Sequence, residues 1–363
     1  MTDAAVIPVV AAGVTQQISG TNLKTYFGNS TTWALLNDKT GAAGPTIIAL
    51  GQNAGLDGQA NAAIALGQYA GQGGQGAAAI SIGQNAGANT TQGSGAVAIG
   101  VSTGFDAQGQ YSVAIGAFTA ATLQGSRSVA IGLSSGQTTQ GTDSVAIGQY
   151  AGNEIQGANS VAIGNNAGYT GQGASAVAIG DNAGETSQGN YAVALGFQAA
   201  ITSQGIGGVA IGREAGNAQG AYAVAIGQEA GFAGQSSGAI AIGLEASETN
   251  QGEDSVAIGY QAGRENQGDN AVAIGAQAGE TAQGDAAVAI GRQAGQTSQA
   301  NNSIILNATG SALDQTTANT FTVKPVRAVA NVTFAAPDSG SVPAGFSPMY
   351  YNPTTGEIIV ITT

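Results

Sequence analysis

A four-residue phrase, [V/I]-A-[I/L]-G with few departures, recurs along most of this chain. It ends at Gly51, Gly67, Gly83, Gly100, Gly116, Gly132, Gly148, Gly164, Gly180, Gly196, Gly212, Gly227, Gly243, Gly259, Gly275 and Gly291. The spacing is 16 residues apart from one interval of 17, Gly83 to Gly100, and one of 15, Gly212 to Gly227. A degenerate last copy reads Ile304-Ile305-Leu306-Asn307. A unit this short cannot bury a hydrophobic face by itself, so its neighbours must stack on it.

Each unit follows the pattern x-x-A-G-x-x-x-Q-G-x-x-[S/A]-V-A-I-G, as in Gln149 to Gly164. Val and Ile, two apart, point to one face of an extended segment and the Ala between them to the other. The expected strand therefore has a core face of Val and Ile and an outer face of small residues. No apolar spacing of three or four persists, and Gly recurs every few residues, which excludes helix. The Ala-Gly and Gln-Gly pairs mark the turns. Proline is absent from Thr46 to Lys324, as continuous backbone ladders require.

The fold class that follows is all-β, a parallel β-solenoid of 16-residue coils. Stacked at about 4.8 Å, some seventeen coils would make a rod on the order of 80 Å long. With only two large apolar residues per coil, burial within one chain competes poorly with backbone ordering entropy. Several chains are expected side by side, approaching through the Ala and Gly face. The organisation reads as an N-terminal cap or attachment segment over 1–45, the repeat array over 46–307 and a C-terminal β cap over 308–363. In the first segment Ser19 or Thr21 could cap a short helix through Phe27.

Composition narrows the chemistry. The chain has no histidine and no cysteine, which removes imidazole acid–base catalysis, thiolate nucleophiles, disulfides and the commonest metal ligands. Only carboxylate chemistry remains. A net charge of −13 with no basic cluster argues against nucleic acid or an anionic membrane as partner. No run of about 18 apolar residues suggests membrane insertion, and the apolar stretch Ala4 to Ala12, broken by Pro8 and preceded by no Lys or Arg, does not read as a secretory signal.

Two columns of residues are candidates for a role. One Gln recurs per repeat, including Gln108, Gln124, Gln140, Gln156, Gln172 and Gln188; stacked amides suggest a structural hydrogen-bond ladder. Glu253, Asp269 and Asp285 share one repeat position in consecutive coils. Such a row suggests a solvated acidic edge, a calcium site of oxygen ligands or a carboxylate pair for glycoside hydrolysis. The reading of these residues is a solvated edge, with no catalytic residue, cofactor or metal assigned and calcium as the alternative. Aromatic residues scatter over several turn positions, among them Tyr111, Tyr191 and Tyr222, and favour local packing.

The S-V-A-I-G phrase at Ser112 to Gly116, Ser128 to Gly132, Ser144 to Gly148, Ser160 to Gly164 and Ser255 to Gly259 resembles the YadA-like head repeats of trimeric autotransporter adhesins. That resemblance covers about residues 46 to 307. It implies a left-handed parallel β-roll, a homotrimer and a role in attachment; the adhesin repeats are shorter and lack the Gln-Gly pair. Related rolls are similar to segments of phage and large-virus fibres. The closing order Asn307-Ala308-Thr309-Gly310, then Phe321 to Arg327, then Tyr351-Asn352 with Thr355-Gly356-Glu357 resembles the ends of viral fibre and tail proteins. The resemblance implies a trimeric virion fibre made in the host cytoplasm and displayed on the virion surface. Its partners would be other virion proteins and a cell-surface receptor or glycan. A bacterial surface adhesin head and a polysaccharide-cleaving tailspike are the alternatives.

Overall fold

The computed structural model describes strands at Ile7–Ala11 and Val14–Ile18, residues 47–326, the strands Met349–Tyr351 and Glu357–Val360, and Thr354. The helix expected near Phe27 lies outside the described residues, as does the stretch from Arg327 to Pro348. The chain divides into two compact units, Met1–Arg127 and Ser128–Thr363.

In the first unit, Ile7–Ala11 and Val14–Ile18 form an antiparallel pair with Ala11 opposite Val14. Strands Ile48–Leu50, Ile64–Leu66, Ile80–Ile82, Val97–Ile99 and Val113–Ile115 stack in parallel, each residue over its equivalent one repeat away. A second ladder forms where the Gln lies, through bridges from Gln59 to Gln75 to Gln92 and the pair Ala107–Gln108 with Leu123–Gln124. The Gln75 to Gln92 bridge crosses the 17-residue repeat, so the extra residue is taken up in the turn.

The second unit repeats this plan from Val129–Ile131 to Ile304–Asn307, again in unbroken parallel register. The ladder then takes one more rung: Phe321–Lys324 stacks in parallel on Ile304–Asn307, and Leu313–Gln315 on Ala294–Gln299. Glu357–Val360 pairs antiparallel with Phe321–Lys324 on one edge and with Met349–Tyr351 on the other. This antiparallel pair occupies an edge of the last coil that would otherwise template a further strand.

The inside of the coil reverses the expectation drawn from the sequence. The middle Ala of each strand, such as Ala146, Ala162, Ala178 and Ala194, is fully buried. It faces the Ala of the Ala-Gly pair, such as Ala151, Ala167, Ala183 and Ala199. Val and Ile point outward, and Ile131, Ile147 and Ile163 are each 36% exposed. The reason is width. A 16-residue coil folded back on itself leaves space for two small side chains and a Gln, and Val and Ile in both walls would be overpacked. Thr103 and Thr119 take the place of the second Ala and are fully buried, and in the last coil Ile305 takes the strand Ala position and packs with Leu313, where the ladder register shifts between Ala294 and Gln299.

Glycine permits the stacking at two positions per coil. A Cβ on Gly148, whose φ is +132°, would lie 2.4 Å from the Gly164 carbonyl oxygen, and one on Gly157 would lie 2.5 Å from the Ala174 nitrogen. Coils at ladder spacing therefore accept no side chain at the Gly148 position, while at the Gly157 position the few coils with Ala60, Ser236 or Ala300 keep the same backbone bond to the next coil.

Candidate functional site

The Gln column lies inside the coil and spans it. Gln188 Nε2 donates to the Val177 carbonyl oxygen at 2.8 Å and to Gln204 Oε1 in the next coil at 3.1 Å. The same pair of bonds recurs at Gln172. Each amide thus ties the Gln strand to the Val-Ala-Ile strand of its own coil and to the coil above. Chains of amide bonds run from Gln172 to Gln235 and from Gln251 to Gln299, and in the first unit from Gln59 to Gln108. Gln108, Gln140 and Gln156 bond to the carbonyl oxygens of Val97, Val129 and Val145, and Gln124 to that of Val113. The amide run pauses at Gln251, whose buried Oε1 has no partner. A buried amide satisfied on both sides contributes about 1 kcal/mol per bond, and one left unpaired costs about 1–3 kcal/mol.

A hydroxyl supplements the amides in places. Ser81 replaces the core Ala, accepts from Gln75 at 3.1 Å and donates to Gln92 Oε1 at 2.9 Å. The buried Ser that opens the S-V-A-I-G phrase closes its own turn: Ser144 Oγ donates to the Gly141 carbonyl at 2.7 Å and Ser160 Oγ to that of Gly157 at 2.6 Å.

The acidic row is exposed, and the carboxylates of Asp269 and Asp285 are engaged with backbone. Asp269 Oδ1 accepts the Glu253 N–H at 2.8 Å, Asp285 Oδ1 accepts the Asp269 N–H at 3.2 Å, and Asn301 Oδ1 accepts the Asp285 N–H at 3.2 Å. The side chains of Asp269, Asp285 and Asn301 each supply an acceptor to the coil before. Among the described residues no group of three or more Asp and Glu is placed to hold a metal ion. A separate ionic cluster surrounds Arg264, which meets Glu248 at 2.7 Å, Glu245 at 3.8 Å and Glu265 at 3.9 Å. The Glu248 hydrogen bond raises the Arg264 pKa, desolvation opposes this, and the charges of Glu248, Glu265 and Glu245 reinforce it.

The scattered aromatics sit at turns. The Tyr111 and Tyr222 rings lie against Gly95 and Gly207 of the preceding coil, and Tyr150 meets Tyr169 edge to face at 6.2 Å. The continuous feature that sequence reasoning misplaced is the outward Val and Ile ridge. Alternation put both residues on one face; only the coil's width shows that this face is the outer one.

Among the described residues no helix is long and apolar enough to cross a membrane. Comparison with curated proteins and with solved structures gave no match. A family model for the YadA head domain repeat matches in two copies, over residues 107–135, 156–167, 251–263 and 267–294. Those segments contain the features described above: the Val-Ala-Ile strand, the Ala-Gly turn and the buried Gln. Over those segments the parallel β-solenoid is similar to the YadA head domain repeat.

Proposed function

We propose that this chain is the structural shaft of a homotrimeric attachment fibre, carried on a virion, whose three solenoids pack through their outward Val and Ile ridges. The observation that carries the reading is the ridge itself. In every regular coil of the second unit a Val or Ile and an Ile or Leu face out beside a fully buried Ala. Covering one such Ile gains on the order of 0.5–1 kcal/mol. A single coil could not offset the 4–15 kcal/mol or so lost on association, but ten or more in a row can. A face that repeats every coil is matched best by another face with the same repeat, which another copy of this chain supplies.

Attachment follows from the adhesin-like repeat and from avidity, since three copies of any terminal or lateral binding surface act together. The virion setting is supported by the closing sequence from Asn307 to Glu357, with its viral-fibre-like phrases and a final strand pair. A bacterial surface head is the second reading, favoured by the family match. In both, self-association precedes contact with a receptor or glycan.

The test is solution mass by light scattering on the full chain and on an Ile147→Gln, Ile163→Gln, Ile179→Gln variant. The wild type is expected at three chains and the variant at a smaller mass with unchanged β-sheet circular dichroism. A wild-type monomer overturns the reading.

A further inference from the structure

The outward ridge has a weakness that its regularity creates. Two chains packed through identical Val and Ile positions could slide by one coil, about 4.8 Å, and regain nearly every contact. Registers that a repeating face does not specify are prone to slippage. Something less regular must distinguish the aligned state.

The position after each repeat Gly, two residues beyond the outward Ile, is irregular in this way. In the second unit it is a large exposed apolar residue at Leu133, Phe197, Leu244 and Tyr260, which are 41%, 45%, 40% and 47% exposed. In the intervening coils it is polar or charged and exposed: Gln149, Asn165, Asp181, Arg213 and Gln228. None of the four apolar residues is needed for the interior, which is filled by Ala and Gln. Their spacing follows no constant number of coils, being four from Leu133 to Phe197, three to Leu244 and one to Tyr260.

We infer that Leu133, Phe197, Leu244 and Tyr260 form a register key, an irregular column flanking the ridge that selects the one alignment of neighbouring copies in which apolar meets apolar. The inference rests on the self-association proposed above. In the aligned state each key residue lies in the same layer as its own copies. After a slip of one coil toward the C-terminus, Phe197 faces Arg213, which is held by Glu214 and Glu229 at 3.1 and 2.6 Å. After a slip the other way it faces Asp181. Either places a large ring against a charged group that must be partly desolvated. Leu244 and Tyr260 adjoin, so a one-coil slip keeps one apolar contact there, while unequal spacing elsewhere prevents any slip from restoring all four. The key therefore acts through penalties on the misaligned states as well as contacts in the aligned one.

The absence of cysteine gives a direct test. Full-length chains carrying Gln149→Cys or Asn165→Cys, both exposed positions in this column, are unfolded together, refolded, mildly oxidised and analysed by mass. In the otherwise native chain, disulfides between like positions, 149 with 149 and 165 with 165, are expected to predominate. In the Leu133→Gln, Phe197→Gln, Leu244→Gln, Tyr260→Gln variant, mixed 149–165 disulfides are expected to rise to the share of like pairs at unchanged oligomer mass. Continued predominance of like pairs in that variant overturns the inference. Should the variant not assemble, two single-key chains decide. Both carry Leu133→Gln, Leu244→Gln and Tyr260→Gln; one keeps Phe197 and bears the 149 probe, the other adds Phe197→Gln with Arg213→Phe and bears the 165 probe. Mixed disulfides between them support the key, and like pairs alone reject it. A native chain that is monomeric and forms no interchain disulfide rejects the self-association reading instead, which separates the two failures.

Discussion

The coils from Val177 to Ile211 and the short coil that follows them, Gly212 to Gly227, share one interior and differ in one backbone ladder. Regular coils pair along both strands: Val177 over Val193 on one side, and Thr186 over Thr202 with Gln188 over Gln204 on the other. In the 15-residue coil the first ladder continues, with Val209 over Val224 and Ile211 over Ile226. The second loses its strand geometry between Thr202–Gln204 and Ala233–Gln235 but keeps backbone bonds, from the Gly205 N–H to the Gln219 carbonyl at 2.8 Å, the Ala218 N–H to the Thr202 carbonyl at 2.9 Å and the Gly220 N–H to the Gln235 carbonyl at 2.7 Å. The amides bridge the interruption, Gln204 to Gln219 at 3.1 Å and Gln219 to Gln235 at 2.9 Å. Asn217 repairs the rest: its Oδ1 accepts the Thr202 N–H at 3.2 Å and the Thr202 hydroxyl at 2.5 Å. In the regular coil before it, the Ile201 carbonyl accepts both groups of Thr186, each at 3.0 Å. The Val-Ala-Ile strand and the buried Gln hold one coil on the next, while the Gln side can lose its regular strand geometry and keep only part of its backbone bonding.

The largest effect should not distinguish the two kinds of coil. Ala194→Leu and Ala225→Leu both force an isobutyl group into a space lined by alanine, and each is expected to cost about 3 kcal/mol or more, measured by urea unfolding. A marked difference between them would mean that the interiors are not equivalent. Replacing the amide should separate the coils. Gln188→Ala strands the Val177 carbonyl and the neighbouring amides at about 2–4 kcal/mol, and Gln219→Ala is expected to cost about 1 kcal/mol more, because the regular strand pairing that flanks Gln188 is missing around it. Equal losses would show that the interruption is mechanically silent.

Smaller still, Asn217→Ala removes two bonds near the surface and should cost about 1 kcal/mol. Ile201→Ala, whose backbone carbonyl makes the equivalent bonds to Thr186, leaves those in place; hydrogen exchange at the Thr202 and Thr186 amides would read each directly. The least effect is expected at Asp269→Asn, since Asn still presents an oxygen to the Glu253 N–H. Stability should stay within about 0.5 kcal/mol of the parent, with the same thermal midpoint with and without added calcium. A calcium-dependent rise in the parent that the variant lacks would restore a metal role to that row.

Much of this was readable from residues alone. The 16-residue period located every Val-Ala-Ile strand from Ile48 to Ile290, and the Gln column was visible as one invariant per coil. The compensation at Asn217 was not readable, since a lone Asn in a shortened turn carries no mark of the carbonyl it replaces. The N-terminal strand pair was missed as well: the sequences of Ile7–Ala11 and Val14–Ile18 flank an Ala-Gly dipeptide, a hairpin signal that Pro8 obscured.

The sequence by itself determined that equivalent residues stack, because an unbroken repeat with glycine where neighbouring backbones touch leaves few other arrangements. It also determined that Val and Ile share one face and Ala the other, since strand geometry alternates. Only the tertiary structure decided which face is inside. Hydrophobicity alone favours burying Val and Ile, but a coil closed in 16 residues is too narrow for branched side chains in both walls. Alanine and glutamine therefore fill the interior, and the larger apolar residues are left outside, where another chain can cover them.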